Sequence, residues 1–168
     1  MHVTLHPHPS SAAGPIRALH VEIARDGLRL WLRYMAEGDP GGVAWPEAAA
    51  PGRGDALWEH TCFEAFVSTD DGYREFNLSP SGQWASYGFS GYRTDMAEAA
   101  EVAVVEGLDG GDDYVALEAT IELPAGARRL GLSAVIAATD GTRTYWALAH
   151  PSDKPDFHHP DSFVLDLP

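Results

Sequence analysis

The chain has 168 residues, a length that suits one domain with a sizeable hydrophobic core. Hydrophobic residues make up 45% of it and charged residues 21%, which excludes a wholly disordered chain. Asp and Glu number 25 against 11 Lys and Arg, so the formal net charge is −14. A surface of this sign repels phosphate backbones and anionic lipid headgroups, and we therefore expect neither nucleic acid nor membrane as a partner.

Residues 1–15 are predicted to form a flexible tail in front of a single domain over residues 16–168. The tail lacks the positively charged head and continuous apolar stretch of a signal peptide. The longest apolar run, 134–138, is far below the ~18 residues of a membrane helix. The only cysteine, Cys62, cannot form an internal disulfide and lies in an apolar run, so it is predicted to be a small buried hydrophobe. These features predict a cytoplasmic protein.

The clearest predicted unit is a hairpin over residues 19–34. Apolar and polar residues alternate on both sides of Asp26-Gly27, a dipeptide that accommodates the positive φ angles of a tight turn. With these two residues as the turn, Ile23 lies opposite Leu30 on the core side.

Most of the remaining chain also reads as short strands separated by turns. A clean alternation over 114–123 predicts a strand that pairs with 102–106 across a Gly/Asp-rich link. Helix is scarce: a capping-box pattern predicts one short helical turn over 95–101, and 38–54 is a Pro/Gly/Ala loop holding Trp45 over one end of the fold. About ten strands predict an all-β fold with little helix, an antiparallel β-sandwich of immunoglobulin-like or jelly-roll-like type. The other predicted strands are 62–67, 73–78, 83–89, 130–137, 144–149 and 163–167.

Two carboxylates stand out on the predicted strands in the middle of the chain. Glu64 is flanked on its strand face by apolar residues, and Glu75 shares a face of the next strand with Asn77. A carboxylate among apolar neighbours needs a cationic or hydrogen-bonding partner, and Arg74 and Arg93 are the candidates. The group is either a buried structural ion pair, the commoner case, or the polar floor of a ligand site.

Aromatic residues crowd the same stretch of chain. Most large aromatics fill cores, but Trp84, which is followed by Tyr87 and Tyr92, lies beside the turn residues 79–82. An aromatic ring at a sandwich rim next to Asn, Glu and Arg suits a neutral sugar, whose apolar face stacks while its hydroxyls take charge-assisted hydrogen bonds. The predicted ligand-binding residues are Trp58, Glu64, Glu75, Asn77, Trp84, Tyr92, Arg93 and His158.

Histidine and carboxylate residues recur in the C-terminal segment. His150, Asp156 and His158 are candidate metal ligands, because imidazole and carboxylate bind divalent cations. Their spacing matches no helix-based zinc motif, and three prolines impose an extended path. The segment supplies one or two ligands at most, so no resident metal or other cofactor is predicted.

Several of these stretches resemble the DOMON-like superfamily, and more narrowly its bacterial branch related to family-nine carbohydrate-binding modules. The resemblance covers 16–168 and is carried by 57–66, 73–84, 145–148 and 155–158. It implies a β-sandwich of about ten strands whose relatives bind sugars or haem. In the sugar-binding relatives a tryptophan, a glutamate and an arginine help form the site, and by position these correspond to Trp58, Glu64 and Arg93. Haem-binding relatives use a Met and a His as axial ligands; the internal methionines here are Met35 and Met96.

The favoured hypothesis is a non-catalytic domain that binds a small molecule, with a carbohydrate or sugar-like ligand preferred. Three alternatives stay open: a haem- or metal-binding domain, a small enzyme that acts on a sugar derivative through Glu64 and Glu75, and a protein-interaction module. The sequence does not fix the oligomeric state or the identity of the ligand.

Overall fold

The computed structural model describes residues 1–167 and confirms an all-β fold. Within these residues thirteen strands pair antiparallel except for one short parallel pair, and the only helices are 3₁₀ turns at Pro40–Gly42, Leu57–Glu59 and Pro160–Ser162. Ten strands have five or more residues, which agrees with the predicted number, and three have only two. The strands are His2–Pro7 (β1), Ile16–Asp26 (β2), Arg29–Gly38 (β3), Gly52–Arg53 (β4), Cys62–Thr69 (β5), Gly72–Leu78 (β6), Gln83–Phe89 (β7), Ala97–Glu98 (β8), Ala103–Gly110 (β9), Tyr114–Glu122 (β10), Arg129–Ala137 (β11), Arg143–Ala147 (β12) and Leu165–Asp166 (β13).

Two sheets share strand β1 and enclose one main core. The first sheet runs β1-β2-β3-β10-β9, and the second runs β4-β7-β6-β5-β11-β12-β1. Strand β1 pairs with β2 through its first residues and with β12 through His6 and Pro7, so it crosses from one sheet to the other. The short strands β8 and β13 add to β7 and β11.

The prediction of a flexible N-terminal tail over residues 1–15 is wrong, because β1 lies within that segment. Leu5 is buried in the core, and the His8 imidazole is buried against the Ser152 carbonyl at 3.0 Å. Polar and proline residues hide this strand in the sequence, since only Leu5 faces fully inward.

The predicted β2–β3 hairpin exists, but its register differs by two residues. Asp26 pairs with Arg29 in the ladder, so the turn is Gly27-Leu28 and Ile23 lies opposite Leu32 instead of Leu30. Gly27 has a φ of 59° and Leu28 does not have a positive φ, the pattern of a turn with glycine at its first central position. A two-residue shift preserves which face each side chain occupies, and the predicted core residues are therefore still buried.

Two other local predictions have different outcomes. The pairing of β9 with β10 is confirmed, with a bulge at Glu118/Ala119. The helical turn predicted over 95–101 is wrong: this segment extends along β7 and contributes β8. Residues 38–54 are mostly loop, as predicted, and Trp45 is anchored there by its Nε1–H to the Pro40 carbonyl at 2.9 Å.

The outer face of the second sheet is covered, which positions the candidate site. The inward residues of both sheets form the main core, where the Tyr34 hydroxyl on β3 donates to the Glu64 carbonyl on β5 at 2.8 Å. On the opposite face of β5, Phe66 stacks on Phe163 from the C-terminal segment, with 5.9 Å between ring centroids. This second apolar cluster, which contains Phe66 and Phe163, covers part of the outer face of the sheet. A pocket lies beside it.

Candidate functional site

A pocket of about 480 Å³ opens on the outer face of the second sheet. Glu64 on β5, Glu75 on β6 and Val135 on β11 form its floor. The loops that contain residues 56–60, 90–96 and 150–163 form its walls. Its volume lies within the range of about 300–1,000 Å³ that is usual for small-molecule sites.

Five of the eight predicted ligand-binding residues line this pocket: Trp58, Glu64, Glu75, Arg93 and His158. The structure places the other three elsewhere. Asn77 is fully buried behind Glu75, and Trp84 packs against the main core on the opposite face of the sheet, with the Arg53 guanidinium 4.6 Å from its ring centroid. Tyr92 is exposed on the outer side of its loop.

Glu64 is held in a buried and weakly polar setting. The residue is 3% exposed, and the Ser133 hydroxyl donates a hydrogen bond to its Oε2 at 3.1 Å. Burial raises the pKa of Glu64 to about 8, and the nearby Glu75 carboxyl adds to that rise. The Ser133 hydrogen bond and the Arg93 charge oppose the rise only in part.

Glu75 is also buried, at 5% exposure, and is held by Asn77. The Asn77 Nδ2 donates to its Oε1 at 2.9 Å. Burial raises the pKa of Glu75 to about 7, while the Asn77 hydrogen bond and the Arg93 charge lower it. The alternation assigned each of the two glutamates to a face of its own strand, and the structure brings both side chains into one pocket.

The predicted buried ion pair between these carboxylates and an arginine is not found in residues 1–167. The Arg74 Nε lies 3.3 Å from Glu101, and the Arg93 Nη2 lies 2.9 Å from Asp156 Oδ1. The hydrogen-bond donors on Glu64 and Glu75 are instead a hydroxyl and an amide, both neutral. Arg93 therefore acts on the two acidic groups through its charge alone, with no direct ion pair to either.

A chain of hydrogen bonds in the pocket wall runs from Arg93 to His158, and the His158 ring lies beside Glu75. The Arg93 backbone N–H donates to the Tyr73 hydroxyl at 3.2 Å, and that hydroxyl lies 2.8 Å from His158 Nδ1. We assign the phenolic proton to Nδ1, which places the imidazole proton on Nε2, 3.7 Å from Glu75 Oε2. Burial and, to a smaller extent, the Arg93 charge lower the pKa of His158 to about 4, so the ring is neutral at pH 7.

Asp156 anchors the loops that form the rim. Its carboxylate accepts from the Tyr92 hydroxyl at 2.6 Å, from Arg93 Nη2 at 2.9 Å and from the His158 backbone N–H at 3.2 Å. Burial opposes ionisation, but these hydrogen bonds and the Arg93 charge together lower the pKa of Asp156. Tyr92, predicted to contact ligand, therefore lies at a position that holds the rim together.

Aromatic side chains supply much of the pocket wall. Trp58 is 36% exposed and packs edge-on against Tyr87, with centroids 5.7 Å apart. Tyr145 and Phe157 are 6.2 Å apart on another side of the pocket. Sequence reasoning missed both of these, together with Arg143. The alternation of β12 around the buried Trp146 places Arg143 and Tyr145 on the pocket face, whereas nothing periodic marks Phe157.

Left-handed backbone is concentrated around the pocket. In residues 1–167 the non-glycine residues with positive φ are Ala56 (51°), Arg93 (53°) and Asp95 (55°). Each lies in a loop that carries pocket residues. Such conformations cost about 1–2 kcal/mol each relative to ordinary backbone, and they are typical of functional loops.

The structure also places the single cysteine and the candidate metal ligands. Cys62 is buried beneath the pocket, and burial and the Glu64 charge raise its pKa, so it is a packed thiol and not an activated nucleophile. Within the described chain, no three His, Cys, Asp or Glu side chains are arranged to hold a metal ion. Of the candidate ligands, Asp156 and His158 belong to the pocket wall, while His150 lies against His8 and the His6 carbonyl.

Comparisons with protein-family models, with curated proteins and with solved structures find no match to this chain. The resemblance to the DOMON-like superfamily therefore stays a prediction. No helix in residues 1–167 is long and apolar enough to cross a membrane.

Proposed function

We propose that this protein binds a small hydroxylated molecule, of the size and polarity of a sugar, in the pocket on the second sheet. The observation that carries the proposal is the meeting of Trp58, Glu64, Glu75 and Arg93 in one concave site of about 480 Å³. These residues come from four separate segments, and no single stretch of sequence brings them together. A cytoplasmic location remains part of this proposal.

The chemistry of the walls suits such a ligand. Exposed aromatic faces at Trp58, Tyr145 and Phe157 offer apolar surface for the C–H face of a ring. The carboxyl groups of Glu64 and Glu75 accept hydrogen bonds from hydroxyls when ionised and donate them when protonated. The left-handed residues in the surrounding loops add to the support, since such strain is retained where the surrounding structure imposes it for function.

The test is a thermal-shift screen of the protein against neutral and charged mono- and disaccharides, with and without calcium or zinc. A ligand at a hundred times its Kd adds about 2.7 kcal/mol of stability, which is several degrees in Tm for a domain of this size. We expect a sugar-dependent shift that Trp58→Ala abolishes. Trp31→Ala, on the outer face of the first sheet, is the matched control and should retain the shift. The absence of a shift with every sugar would contradict the proposal.

A second candidate function is acid–base catalysis on a sugar derivative. Two carboxyl groups with pKa values raised to about 8 and 7 share the pocket, and a general acid or base works best when its pKa lies near the working pH. We would incubate the protein with aryl glycosides. Turnover above the uncatalysed rate that is lost in both Glu64→Gln and Glu75→Gln would favour an enzyme, and turnover that survives both would contradict it.

Haem is less well supported, although Met96 and His158 both line the pocket. An axial histidine presents a nitrogen lone pair to iron, but His158 Nδ1 is bound to Tyr73 and its Nε2 faces Glu75. The residues present thus do not fit this group. A Soret band after reconstitution with haemin would contradict this conclusion.

The protein-interaction alternative has a different location in the fold. Val102, Val104 and Leu108 expose apolar side chains on or beside the edge strand β9, with Leu28 exposed on the same sheet. An edge strand with exposed apolar residues is a feature of pairing surfaces, but it lies on the first sheet, away from the pocket.

A further inference from the structure

We propose that the pocket selects a small hydroxylated molecule that carries an ammonium group, of which an amino sugar is the simplest example, and that the ammonium binds at the carboxyl groups of Glu64 and Glu75. This inference rests on the proposed function and names the charge of its ligand. It follows from the hydrogen-bond partners around the pocket floor.

In residues 1–167 no arginine or lysine is paired directly with the carboxyls of the floor, although the Arg93 charge acts on both of them. Glu64 is held by the Ser133 hydroxyl and Glu75 by the Asn77 amide, both neutral donors. The nearest ionisable donor, His158 Nε2, is 3.7 Å from Glu75 and belongs to a ring that is neutral at pH 7. Ionising a buried carboxyl that has no directly paired cation is costly, and a ligand ammonium lowers that cost through charge-assisted hydrogen bonds.

The two arginines of the pocket are already engaged by other acceptors. Arg93 is paired with Asp156 at 2.9 Å, and Arg143 Nη2 donates to the Glu59 carbonyl at 2.6 Å. A ligand carboxylate or phosphate would therefore have to share Arg93 with Asp156, and it would lie beside the carboxyl groups of Glu64 and Glu75. The geometry disfavours an anionic ligand on both counts.

The aromatic walls of the pocket and the negative net charge of the protein also favour a cationic ligand. Aromatic faces at Trp58, Tyr145 and Phe157 line the same pocket, and ammonium groups are attracted to such faces. The net charge of −14 raises the local concentration of cations at a concave site and lowers that of anions.

The experiment compares matched ligands by isothermal titration calorimetry. The pairs are glucose with glucosamine, galactose with galactosamine, and cellobiose with its diamino counterpart, with glucuronate as the anionic member. At about pH 6.5, where a sugar amine is largely protonated, we expect at least one amino member to bind roughly tenfold or more tightly than its neutral match. In phosphate and HEPES buffers the difference in heat should report release of about one proton on binding, because the ammonium ionises a carboxyl that is otherwise protonated.

Variants locate the effect. Glu64→Gln and Glu75→Gln keep the size and polarity of each side chain, and we expect each to reduce the amino-sugar preference and the proton release. Glu118→Gln, on the first sheet, should leave both unchanged. Equal binding of amino and neutral members would overturn the ammonium inference and leave the proposed function standing. Preference for glucuronate would overturn it in favour of the arginines, and binding of no member would overturn both proposals.

Discussion

The two sheets carry acidic side chains on their outer faces in opposite settings. On the first sheet Glu118 lies beside Arg33, with 3.0 Å between Oε1 and Nε, and both side chains are partly exposed to water. On the second sheet Glu64 and Glu75 are covered by loops and held by neutral donors. In both sheets these glutamates lie on the outer face because inward and outward side chains alternate along each strand.

The difference shows that the cover on a strand face decides its role as much as the residues on it do. A carboxylate beside an arginine in water contributes little to stability and nothing to recognition. The same group under a loop loses its hydration and acquires a raised pKa, which makes it a candidate for a functional site. Four expected results sharpen or break this comparison.

The largest expected effect is on the apolar cover of the second sheet. Phe66→Ala removes a ring that packs against Phe163 and His158, and we expect the free energy of unfolding to fall by about 3–5 kcal/mol. Val104→Ala, on the uncovered face of the first sheet, should change it by less than about 0.5 kcal/mol. Urea denaturation measures both. Similar losses in the two variants would mean that the two outer faces are not energetically distinct.

The next effect concerns pH. The pKa values of Glu64 and Glu75 are raised to about 8 and 7, so the folded protein keeps protons that the unfolded chain has lost above its ordinary pKa near 4.5. Stability therefore falls as pH rises, by about 1.4 kcal/mol per pH unit for each such proton. His158, whose pKa is lowered to about 4, has the opposite effect, but only below about pH 6.5.

The window from pH 6.5 to 8 thus isolates the two carboxyls. We expect the free energy of unfolding, measured by urea titration at several pH values, to decline across it. Glu64→Gln should flatten the decline, and Glu118→Gln on the first sheet should not. A wild-type protein whose stability is constant across this window would show that the covered carboxyls are hydrated.

A smaller effect is expected at the rim. Asp156→Asn weakens the bonds to Tyr92 and Arg93, which should cost about 1–2 kcal/mol and reduce the affinity for any pocket ligand. Because the pKa of Asp156 is lowered in the fold, its contribution is present near neutral pH and is lost as pH falls through that lowered value. Asp70→Asn, which removes an exposed partner of Arg128, is the control and should change stability by less than about 0.5 kcal/mol. An equal cost for the two would show that the rim is only a surface pair.

The smallest effect separates the turns of the two sheets. The β2–β3 turn of the first sheet places glycine at a left-handed φ, whereas the pocket loop places Ala56 at one. Ala56→Gly should therefore stabilise the protein by up to about 1 kcal/mol, and Gly27→Ala should destabilise it by about as much. Thermal unfolding measures both shifts. A destabilising Ala56→Gly would show that the loop is not strained.

Much of the fold follows from local pattern. Period-two alternation predicted the long strands, and both faces of β10 and β5 were assigned from it, because successive side chains on a strand must point to opposite sides. The pattern failed where it was interrupted: β1 has polar and proline residues, and β8 has only two residues. The hairpin register was missed by two because a shift of two leaves the alternation unchanged.

For the site, the sequence determined which neighbours share a strand face with Glu64 and which share one with Glu75, and the pairing of β5 with β6 in the structure brings the two glutamates together. The structure shows that both face away from the main core, in which their neighbours Phe63 and Phe76 are buried. Only the tertiary structure decided that the C-terminal segment folds over this face, bringing Phe157 and His158 to it and pairing Asp156 with Arg93. Contacts between residues more than sixty positions apart depend on how loops close over a sheet, and such closure leaves no period in the chain.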